Sequence, residues 1–427
     1  MPLLEMVEGG SALDRAAQVA HRHLALDAVY VAELTPHVQV YRAAAGDAAW
    51  FGVAVGSTLD RAVTFCDRLV SGVIPPVIRD TSADRRVAML PGSTQAHVGA
   101  YVGVPLRYSD GTVYGTLCAL SREPDQSLDD RDVRFLVMLG DLLVEHLDQD
   151  RRRDAITARM RAVFAHDQLQ VAAQPIVNLR DHSCLGIEAL ARFPTEIGTP
   201  TAAFAAAEEV GLGPDLERLA VSRAWPLLSH LQPEQFLTVN VSPDVAVSLS
   251  ELARADHEID LSQLVVEITE HAIVPSYTVL RDAFAPLRDR GLRIAVDDAG
   301  AGYASLRHVV ELQPDFIKID RDLVHGIATD RARRVAVSAF VLLALDLNAT
   351  IVAEGLETHD DLTALEDLGV DAAQGYLLAK PSQNTAQIAD WLRPEWSVYP
   401  AAANGNENNP TDIDLVSPRR RPSKPRS

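Results

Sequence analysis

Two adjacent aspartates, Asp297 and Asp298, directly follow an apolar run in the segment LRIAVDDAGAGYASLRH, residues 292–308. The run of Leu, Ile, Ala and Val predicts a buried strand. Two carboxylates side by side at its end cost free energy in repulsion and desolvation. A cation or a network of hydrogen bonds must offset that cost, so the pair marks a candidate site for chemistry.

Polar side chains end most of the other apolar runs in the second half of the chain. They are Glu188, Asn240, Glu267, Lys318, Glu354 and Gln374. Singly, each acid could cap a helix or pair with a surface cation. Brought together, the carboxylates would repel by roughly several kcal/mol unless divalent cations compensated them. No histidine belongs to the set, which favours magnesium or manganese over zinc.

Eight strand-like runs carry these residues, separated mostly by segments long enough for a helix. The runs are LQVAAQPIV, SCLGIEAL, QFLTVNVS, QLVVEITE, LRIAVDD, DFIKID, ATIVAEG and DAAQGYLL. This α/β alternation over residues 160–396 predicts a TIM-like (β/α)8 barrel. Parallel barrel strands bring their carboxyl ends to one mouth, so residues more than a hundred positions apart should converge there.

The region 5–145 mixes helical and strand patterns without a repeat. Ser11 is predicted to cap a helix, and DAVYVAEL (27–34) and HVQVYRAA (37–44) alternate like paired strands. TLDRAVTFCDRLVSG predicts a second helix. The clearest hairpin is GAYVGVPLRYSDGTVYGTLCALS, turned at residues 109–111. These patterns predict an α+β domain with an antiparallel sheet.

A long helix is predicted to connect the two regions over residues 127–160. Its apolar stripe consists of Leu136, Leu139, Leu143 and Leu147, lapses through DQDRRRDA, and resumes at Ile156, Met160 and Val163. The helix could pack on the sheet of its own domain. Alternatively, it could be partly exposed, pair with a second copy across a dimer, and join the domains mechanically. Either interpretation places the domain boundary near residues 145–160.

Composition narrows the class of protein. A chain of 427 residues, 47% hydrophobic and 23% charged, is long enough for two folded units. Its formal charge of -20 argues against binding to a nucleic-acid polymer. No apolar run approaches the roughly 18 residues of a membrane span. The N-terminus lacks the basic flank and apolar core of a signal peptide, so a cytoplasmic location is expected.

Two further features concern the cysteines and the C-terminus. Cys66, Cys118 and Cys184 are widely spaced and form no CxxC motif, which predicts buried reduced thiols instead of disulfides or a zinc site. Residues 401–427 are rich in Asn, Pro and Ser and end in a basic cluster, which predicts a disordered, solvated tail. Contact of that cluster with acidic lipid or another protein is the alternative.

The segment IEALARF contains Glu188, Ala189 and Leu190, and with it the second region resembles the EAL domain. That domain is the phosphodiesterase that hydrolyses the bacterial messenger cyclic di-GMP. The resemblance covers residues 165–395. Its other motifs follow in the family's order: QPIV, VNVSP, VEITE, VDDAGAGYASL, FIKID, VAEGLET and AQGYLLAKP.

The resemblance implies two magnesium or manganese ions in each active site. The ligands of one would be Glu188, Asn240, Glu267 and Asp297. Those that hold or approach the second would be Asp297, Asp298 and Glu354, so that Asp297 bridges. Such a pair of cations can bind a phosphodiester and lower the pKa of a shared water.

The resemblance also implies roles for residues around the metals. Lys318 matches the lysine that contacts the reacting water and the substrate phosphate. The predicted catalytic residues are Lys318, Asp298 and Glu270, of which Glu270 would steady the loop after the Asp pair. The predicted substrate-binding residues are Gln174, Leu190, Arg192 and Gln374.

One departure from the family pattern lies in that same loop. The family usually reads DDFGTGYSSL, whereas this chain has Ala299 and Ala301 in place of the aromatic residue and the threonine. The loop normally helps position the second metal and the dimer interface. The change is therefore expected to affect the rate or the coupling between subunits more than the chemistry.

The first region resembles a GAF domain, a small sensory module, through CDRLVSG, VGVPL and YGTLCALS in that order. Cys118 is followed by Ala119 in place of the histidine of bilin-attaching members, so a covalent chromophore is not expected. His97 could meet a haem or a metal, but a lone histidine is more often an ordinary, partly buried residue. The signal of this domain stays unnamed.

Three functions remain open at this point. The first is an active phosphodiesterase that converts cyclic di-GMP to linear pGpG and is regulated by the GAF-like domain, in a homodimer. The second is a catalytically silent cyclic di-GMP receptor, and the third is a hydrolase of another phosphodiester. The chain lacks none of the family's acids nor its lysine, which favours the first.

Overall fold

A computed structural model describes residues 10–248, 261–269, 274, 276–300 and 305–398. The predicted tail, Glu270 and Ala301 lie outside these residues. The chain divides into two compact units between Arg161 and Ala162. Within the described ranges, no helix combines the length and the apolar character needed to cross a membrane.

The N-terminal unit is built on a six-stranded antiparallel sheet in the order β3-β2-β1-β6-β5-β4. Its strands are β1 (Ala28–Leu34), β2 (Val38–Gly46), β3 (Thr58–Asp60), β4 (Val77–Ile78), β5 (Ala100–Arg107) and β6 (Val113–Ser121). The strands β1 and β2 pair as predicted. The predicted hairpin is confirmed as β5 and β6.

The helices of this unit are Ala12–Leu24, Phe65–Val70 and Pro91–Thr94, with 3-10 turns at Ala48–Phe51 and Arg61–Val63. Ser11 caps the first helix as predicted, because its Oγ accepts a hydrogen bond from the Asp14 amide at 3.2 Å. The second predicted helix is shorter than expected. Its first residues form β3 and a 3-10 turn, and Thr64 caps the helix that comes after them.

The long connecting helix runs over Asp130–Ala165, 36 residues. Its leucine stripe, Leu136, Leu139, Leu143 and Leu147, is buried in the core of the N-terminal unit together with Val29, Val31, Val102 and Val104 of the sheet. This burial supports the interpretation that the helix packs on the sheet of its own domain. The dimer interpretation stays a prediction.

The three cysteines lie buried as free thiols. Cys66 and Cys118 are neighbours on the other face of the N-terminal sheet, with their sulfurs 3.9 Å apart. Each lies against a tyrosine hydroxyl, that of Tyr30 for Cys66 and that of Tyr101 for Cys118. His97 is exposed, not partly buried as predicted.

The C-terminal unit is a closed eight-stranded barrel in the order β10-β11-β12-β13-β14-β7-β8-β9. Its strands are β7 (Gln170–Asn178), β8 (Cys184–Arg192), β9 (Phe236–Asn240), β10 (Leu264–Thr269), β11 (Arg293–Ala299), β12 (Phe316–Ile319), β13 (Thr350–Ala353) and β14 (Ala372–Ala373). All eight predicted runs form strands of the barrel.

One strand departs from the expected all-parallel arrangement. β7 pairs antiparallel with both of its neighbours, β14 and β8. Only residues 179–183 connect β7 to β8, and a parallel crossover needs a dozen residues or more. The short connection therefore makes β7 and β8 a hairpin.

Helices surround this barrel. They are Pro200–Glu209, Gly213–Ala224, Tyr277–Arg288, Ser305–Leu312, Arg321–Val324, Arg331–Leu347, His359–Leu368 and Thr385–Trp391, with 3-10 turns at Trp225–His230 and Leu261–Gln263. Outward-facing strand residues such as Val266, Ile268 and Ile317 pack beneath the helices in the larger core. A separate inner cluster fills the lower part of the barrel: Ile176, Phe236, Val265, Ala295, Phe316, Val352 and Ala372.

Candidate active site

The alternation of side chains along the barrel strands carries the predicted polar residues inward. Residues two apart on a strand face the same side. On five strands, a member of the inner apolar cluster precedes a polar residue by two positions: Val265 and Glu267, Ala295 and Asp297, Phe316 and Lys318, Val352 and Glu354, Ala372 and Gln374. A ring of polar side chains therefore lies above a plug of apolar ones.

The sequence predicted that the polar residues end the strands, but several of them lie inside strands. Glu188 is in the middle of β8, and Glu267 lies two residues before the end of β10. Asp297 is likewise inside β11. The strands continue because their later residues still pair with neighbours, as Arg192 does with Gln170 and Thr269 with Asp297.

The ammonium of Lys318 is the meeting point of four carboxylates. Its Nζ lies 2.6 Å from Glu354 Oε1, 2.9 Å from Glu267 Oε2, 3.2 Å from Asp297 Oδ1 and 3.5 Å from Glu188 Oε2. The Lys318 side chain is 2% exposed and that of Glu267 is fully buried. Four of these residues lie on four different strands, and Glu354 directly follows a fifth strand, β13. Residues far apart in the sequence therefore converge, as predicted.

This crowding changes the protonation of the buried groups. Burial raises the pKa of Glu267 to about 8, against the pull of the Lys318 charge. Burial opposes the charge on Lys318, but the surrounding carboxylates, Asp297 first, outweigh it and raise the lysine pKa well above its usual value. The single ammonium of Lys318 therefore cannot neutralise four ionised carboxylates.

The residues fit divalent cations. Asp297, Asp298 and Glu354 each offer one oxygen, and the three oxygens lie within 4.8 Å of one another. Glu267 Oε1 and Asp297 Oδ1 are buried without a hydrogen-bond partner, although the latter lies 3.2 Å from the Lys318 ammonium. Carboxylate oxygens without partners suit hard cations such as magnesium or manganese.

The backbone conformation at Asp298 interrupts the regular alternation of side chains along β11. Asp298 has a left-handed φ of 55°, which aspartate tolerates better than most residues, and the pairing of β11 with β12 shifts register between Val296 and Ala299. Gly300 is next in the chain, with φ 106°, and a Cβ there would lie 2.3 Å from Leu323 Cδ1. This turn lets two consecutive acids face the same site.

Three amide side chains form hydrogen bonds around Glu188. Asn240 Nδ2 donates to Glu188 Oε1 at 3.1 Å, and Gln374 Nε2 donates to Oε2 at 2.7 Å. Gln374 also donates to Gln174 Oε1 at 2.9 Å, and Gln174 Nε2 donates to the Ala379 carbonyl at 2.9 Å. The predicted substrate contacts Gln174 and Gln374 therefore lie against Glu188.

Leu190 and Arg192 lie further along β8, at the rim of the mouth. Both line a cavity of about 370 Å³ beside Asn240. Arg192 also lines a second, more polar cavity of about 670 Å³ with Gln170, Phe193 and Gln383. These last three residues were not predicted. The signal for Gln170 lay in the hairpin, because an antiparallel β7 places it opposite Arg192.

Glu270 comes directly after β10 but lies outside the described residues, so its predicted role stays a prediction. Ala299 is fully buried at the end of β11. Neighbouring apolar side chains of the helix-facing core fill the space that a larger aromatic side chain at position 299 would need.

Comparison with known proteins identifies both regions. The EAL domain profile matches residues 156–381, and the GAF domain profile matches residues 9–147. The chain is 30% identical over 260 residues to the cyclic di-GMP phosphodiesterase PA2567 of Pseudomonas aeruginosa, covering 58% of this chain and 44% of that protein. It is 30% identical over 254 residues to the oxygen sensor protein DosP of Escherichia coli, covering 57% and 32%.

The chain spans less than half the length of these curated relatives. Among solved structures, the cAMP-bound EAL enzyme Bd1971 superposes with a TM-score of 0.52 at 18% identity, over 86% of this chain and 93% of that one, which shows a shared fold. The chain belongs to the EAL-domain family, with a GAF domain in its N-terminal region.

Proposed function

We propose that the chain hydrolyses cyclic di-GMP to linear pGpG in a reaction that depends on divalent metal ions. The observation that carries the proposal is the convergence of Glu188, Glu267, Asp297 and Glu354 on Lys318, within 3.5 Å. The relative named as a cyclic di-GMP phosphodiesterase supports the substrate.

The metal ligands in this proposal are those that the resemblance to the EAL family implies. Glu188, Asn240, Glu267 and Asp297 would hold one magnesium or manganese ion, and Asp297, Asp298 and Glu354 would hold a second. When bound, the two ions would neutralise phosphate charge and lower the pKa of a water, so that hydroxide would be available near neutral pH to attack phosphorus. Every ligand is an oxygen donor, as these ions prefer.

Lys318 orients the attacking water and stabilises negative charge on the phosphate. Its ammonium is held by four carboxylates from different strands, so its position is fixed before substrate arrives. Asp298 would take part in catalysis by offering an oxygen to the second ion, beside the reacting phosphate. Glu270 steadies the loop that carries the Asp pair.

Substrate is proposed to lie over the mouth, with one end in the cavities beside Arg192. The guanidinium can bind a phosphate or a guanine edge through two parallel hydrogen bonds. Leu190 supplies apolar contact in the smaller cavity. Gln174 and Gln374 contribute at the floor of the site, where both are buried and bonded in series to Glu188.

The GAF domain is proposed to regulate this reaction in response to a signal of its own, and the chain is proposed to act as a homodimer in the cytoplasm. The domain limits in the proposal are residues 5–145 for the GAF-like domain, 127–160 for the connecting helix and 160–396 for the EAL domain.

The test is a hydrolysis assay of the purified full chain with cyclic di-GMP, in magnesium or manganese and after removal of metal with EDTA. We expect pGpG as the product, no turnover in EDTA, and recovery when metal is restored. Other cyclic nucleotides are presented in parallel. Tight binding of cyclic di-GMP without turnover in either metal would instead identify a receptor, and turnover of another phosphodiester alone would identify a different hydrolase.

A further inference from the structure

Two buried thiols of the N-terminal unit lie within reach of each other. Cys66 comes from the helix Phe65–Val70 and Cys118 from β6, and their sulfurs are 3.9 Å apart although 52 positions separate them in the sequence. Both residues are fully buried. A disulfide needs its sulfurs about 2.05 Å apart, so these two must approach each other by about 1.9 Å. The proposed reaction at the barrel uses neither thiol.

The packing holds one sulfur and lets the other move. β6 is paired with β1 on one side and with β5 on the other, which fixes Cys118 inside the sheet. Gly103 of β5 lies opposite Cys118, and a Cβ there would lie 2.8 Å from the Cys118 sulfur, so the glycine leaves space around it. Cys66 lies in a helix of six residues, which draws little stability from its own hydrogen bonds. A small shift of this helix can therefore close the gap.

Two tyrosine hydroxyls adjoin the sulfurs. The Tyr30 hydroxyl lies 3.3 Å from the Cys66 sulfur, and the Tyr101 hydroxyl lies 3.1 Å from the Cys118 sulfur. Burial raises the pKa of both tyrosines, so the hydroxyls keep their protons and can donate them in hydrogen bonds.

The two thiols differ in how readily they ionise. Burial raises the pKa of Cys66. Burial also opposes the thiolate of Cys118, but hydrogen bonds, first that of Cys66, outweigh it and lower the pKa of Cys118. The thiolate is the nucleophilic form of a cysteine. Cys118 is therefore the thiol that reacts first, and Cys66 is the neighbour that can close a disulfide.

A cavity of about 620 Å³ lies on the same side of the sheet. Its lining includes the rings of Tyr30, Tyr41 and Phe65, and among the described residues that line it Asp60, which is exposed, is the one with a charge. Tyr30 lines the cavity and also contacts Cys66. Movement of this ring therefore gives a small oxidant a path from the cavity to the thiols.

We propose that Cys66 and Cys118 are a site of oxidative modification, at which a hydroperoxide converts the two thiols to a reversible disulfide. With hydrogen peroxide, the Cys118 thiolate attacks one oxygen and the O–O bond breaks. This step gives a sulfenic acid on Cys118 and a hydroxide, which takes the proton of Cys66 to form water. The Cys66 thiolate then attacks the Cys118 sulfur, the S–O bond breaks, and the departing hydroxide takes up the proton that Cys118 first released.

The two thiols lose two electrons in this sequence, and the peroxide gains them and leaves as two waters. A dithiol reductant reverses the change by thiol–disulfide exchange. The proposal concerns the N-terminal unit and does not depend on the reaction at the barrel.

The test exposes the reduced full chain to hydrogen peroxide under native conditions. The remaining thiols are then alkylated in denaturant, and the intact mass and an unreduced peptide map are measured. We expect the loss of two hydrogen atoms, one pair of peptides joined through Cys66 and Cys118, and one alkylated cysteine, Cys184. Dithiothreitol should restore all three free thiols.

Cys184 is the internal control within the same chain. It is also buried, but burial raises its pKa to about 12, and its sulfur donates a hydrogen bond to the Gly186 carbonyl at 3.2 Å. It should therefore stay reduced while the pair reacts.

The order of the two steps is tested with serine variants. Cys66→Ser should accumulate the sulfenic acid on Cys118, which dimedone traps. The amount trapped should be at least about tenfold greater than on Cys66 in Cys118→Ser, because Cys118 is the more acidic thiol. If either variant fails to fold, the disulfide on the unaltered chain still decides the proposal.

The role of the hydroxyls is tested with two matched variants. Tyr101→Phe removes the hydroxyl that adjoins Cys118 and should slow disulfide formation by about three- to tenfold, the value of one hydrogen bond. Tyr41→Phe is the control, because that hydroxyl is bonded to Gln39 instead of a sulfur, and it should leave the rate unchanged.

Three results would overturn the proposal: three free thiols after peroxide treatment of the native chain, a disulfide that includes Cys184, or oxidation of the pair to sulfinic acid without a disulfide. Faster trapping on Cys66 than on Cys118 would overturn the order of the steps. Equal rates in Tyr101→Phe and Tyr41→Phe would overturn the role of the hydroxyl.

Discussion

The two units place polar groups in opposite ways. The sheet of the N-terminal unit packs apolar residues on both faces, and the cavity there has aromatic walls and one exposed carboxylate. The barrel collects four carboxylates and a lysine at one mouth. The comparison teaches that charge, more than cavity size, separates the chemistry of the two sites. The barrel site gathers carboxylate oxygens, whereas the N-terminal cavity is lined mainly by apolar and aromatic side chains.

The largest expected effect comes from Asp297, the shared ligand. Asp297→Asn should abolish hydrolysis of cyclic di-GMP, because the amide cannot supply negative charge to two cations. Glu188→Ala should do the same. The measurement is initial rate with manganese, beside calorimetric titration of manganese. Asp289→Asn, at an exposed position after the helix Tyr277–Arg288, is the matched control and should leave both unchanged. More than about a tenth of the wild-type rate in Asp297→Asn would contradict the two-metal assignment.

Lys318 should show the next largest effect. Lys318→Ala should lower the rate by roughly 100-fold while cyclic di-GMP still binds, as expected for a group that acts on the water and on developing charge. Without metal, the variant should also melt at a lower temperature, because four carboxylates lose their ammonium. Manganese should restore part of that loss.

The control for this variant is Lys380→Ala, whose side chain is exposed above the ring of Tyr376. Loss of cyclic di-GMP binding in Lys318→Ala, with no separate loss of turnover, would make Lys318 a substrate contact only.

Gln374 should have an intermediate effect, acting through Glu188. Gln374→Leu removes the 2.7 Å hydrogen bond to Glu188 Oε2 and should weaken manganese binding and the rate by about tenfold. Gln387→Leu, on the exposed side of the helix Thr385–Trp391, is the control. A raised KM with unchanged manganese affinity would show instead that Gln374 acts on substrate.

The stability of the metal-free barrel should depend on pH. Because the folded pKa of Glu267 is raised to about 8, the folded state keeps a proton that the unfolded state has already released above its ordinary pKa. The metal-free protein should therefore lose stability from about pH 5 to pH 8, and Glu267 alone should contribute at most about 1.4 kcal/mol per pH unit. Manganese should flatten this slope, since a bound cation favours the ionised carboxylate. A metal-free melting temperature that rises over the same range would refute this account.

The smallest expected effect concerns coupling between the units. The helix Asp130–Ala165 is continuous through the boundary, so one residue inserted near Asp150 rotates the C-terminal part of the helix by about 100°. We expect a change of at least about threefold in specific activity. Seven inserted residues, close to two full turns, should largely restore the original rate. A fragment that starts near Asp154 should also differ by about threefold. Equal rates in all of these proteins would mean that the N-terminal unit does not control the barrel.

Much of the barrel could be predicted because its signal is local. Each apolar run is a strand, and the period of two fixes which residue faces inward once the strand is known. The sequence therefore indicated Glu188, Glu267, Asp297 and Lys318 as one site. The antiparallel direction of β7 was not predicted, because the residues of a strand do not indicate its direction. The short connection 179–183 between β7 and β8 did indicate it.

The N-terminal unit was harder to predict for a different reason. Its hairpin was clear, but the region from Thr58 to Val70 changes from strand to 3-10 turn to helix within a few residues, and helical periodicity alone cannot resolve such short elements. The lining of the cavity was also invisible, because Gln39, Trp50 and Phe65 come from separate elements brought together by folding.

The antiparallel contact between β14 and β7 also governs when the site can form during synthesis. Gln374 and Gln174 are 200 positions apart, and their hydrogen bond lies where the last strand meets the first. A growing chain can make the β7 and β8 hairpin early, because its contacts are local. Most of the domain must be synthesised after Glu188 before Gln374 is available to form its hydrogen bond with Glu188. Closure of the barrel and completion of the hydrogen bonds to Glu188 are therefore the same late folding event, so a chain truncated before β14 would lose both at once.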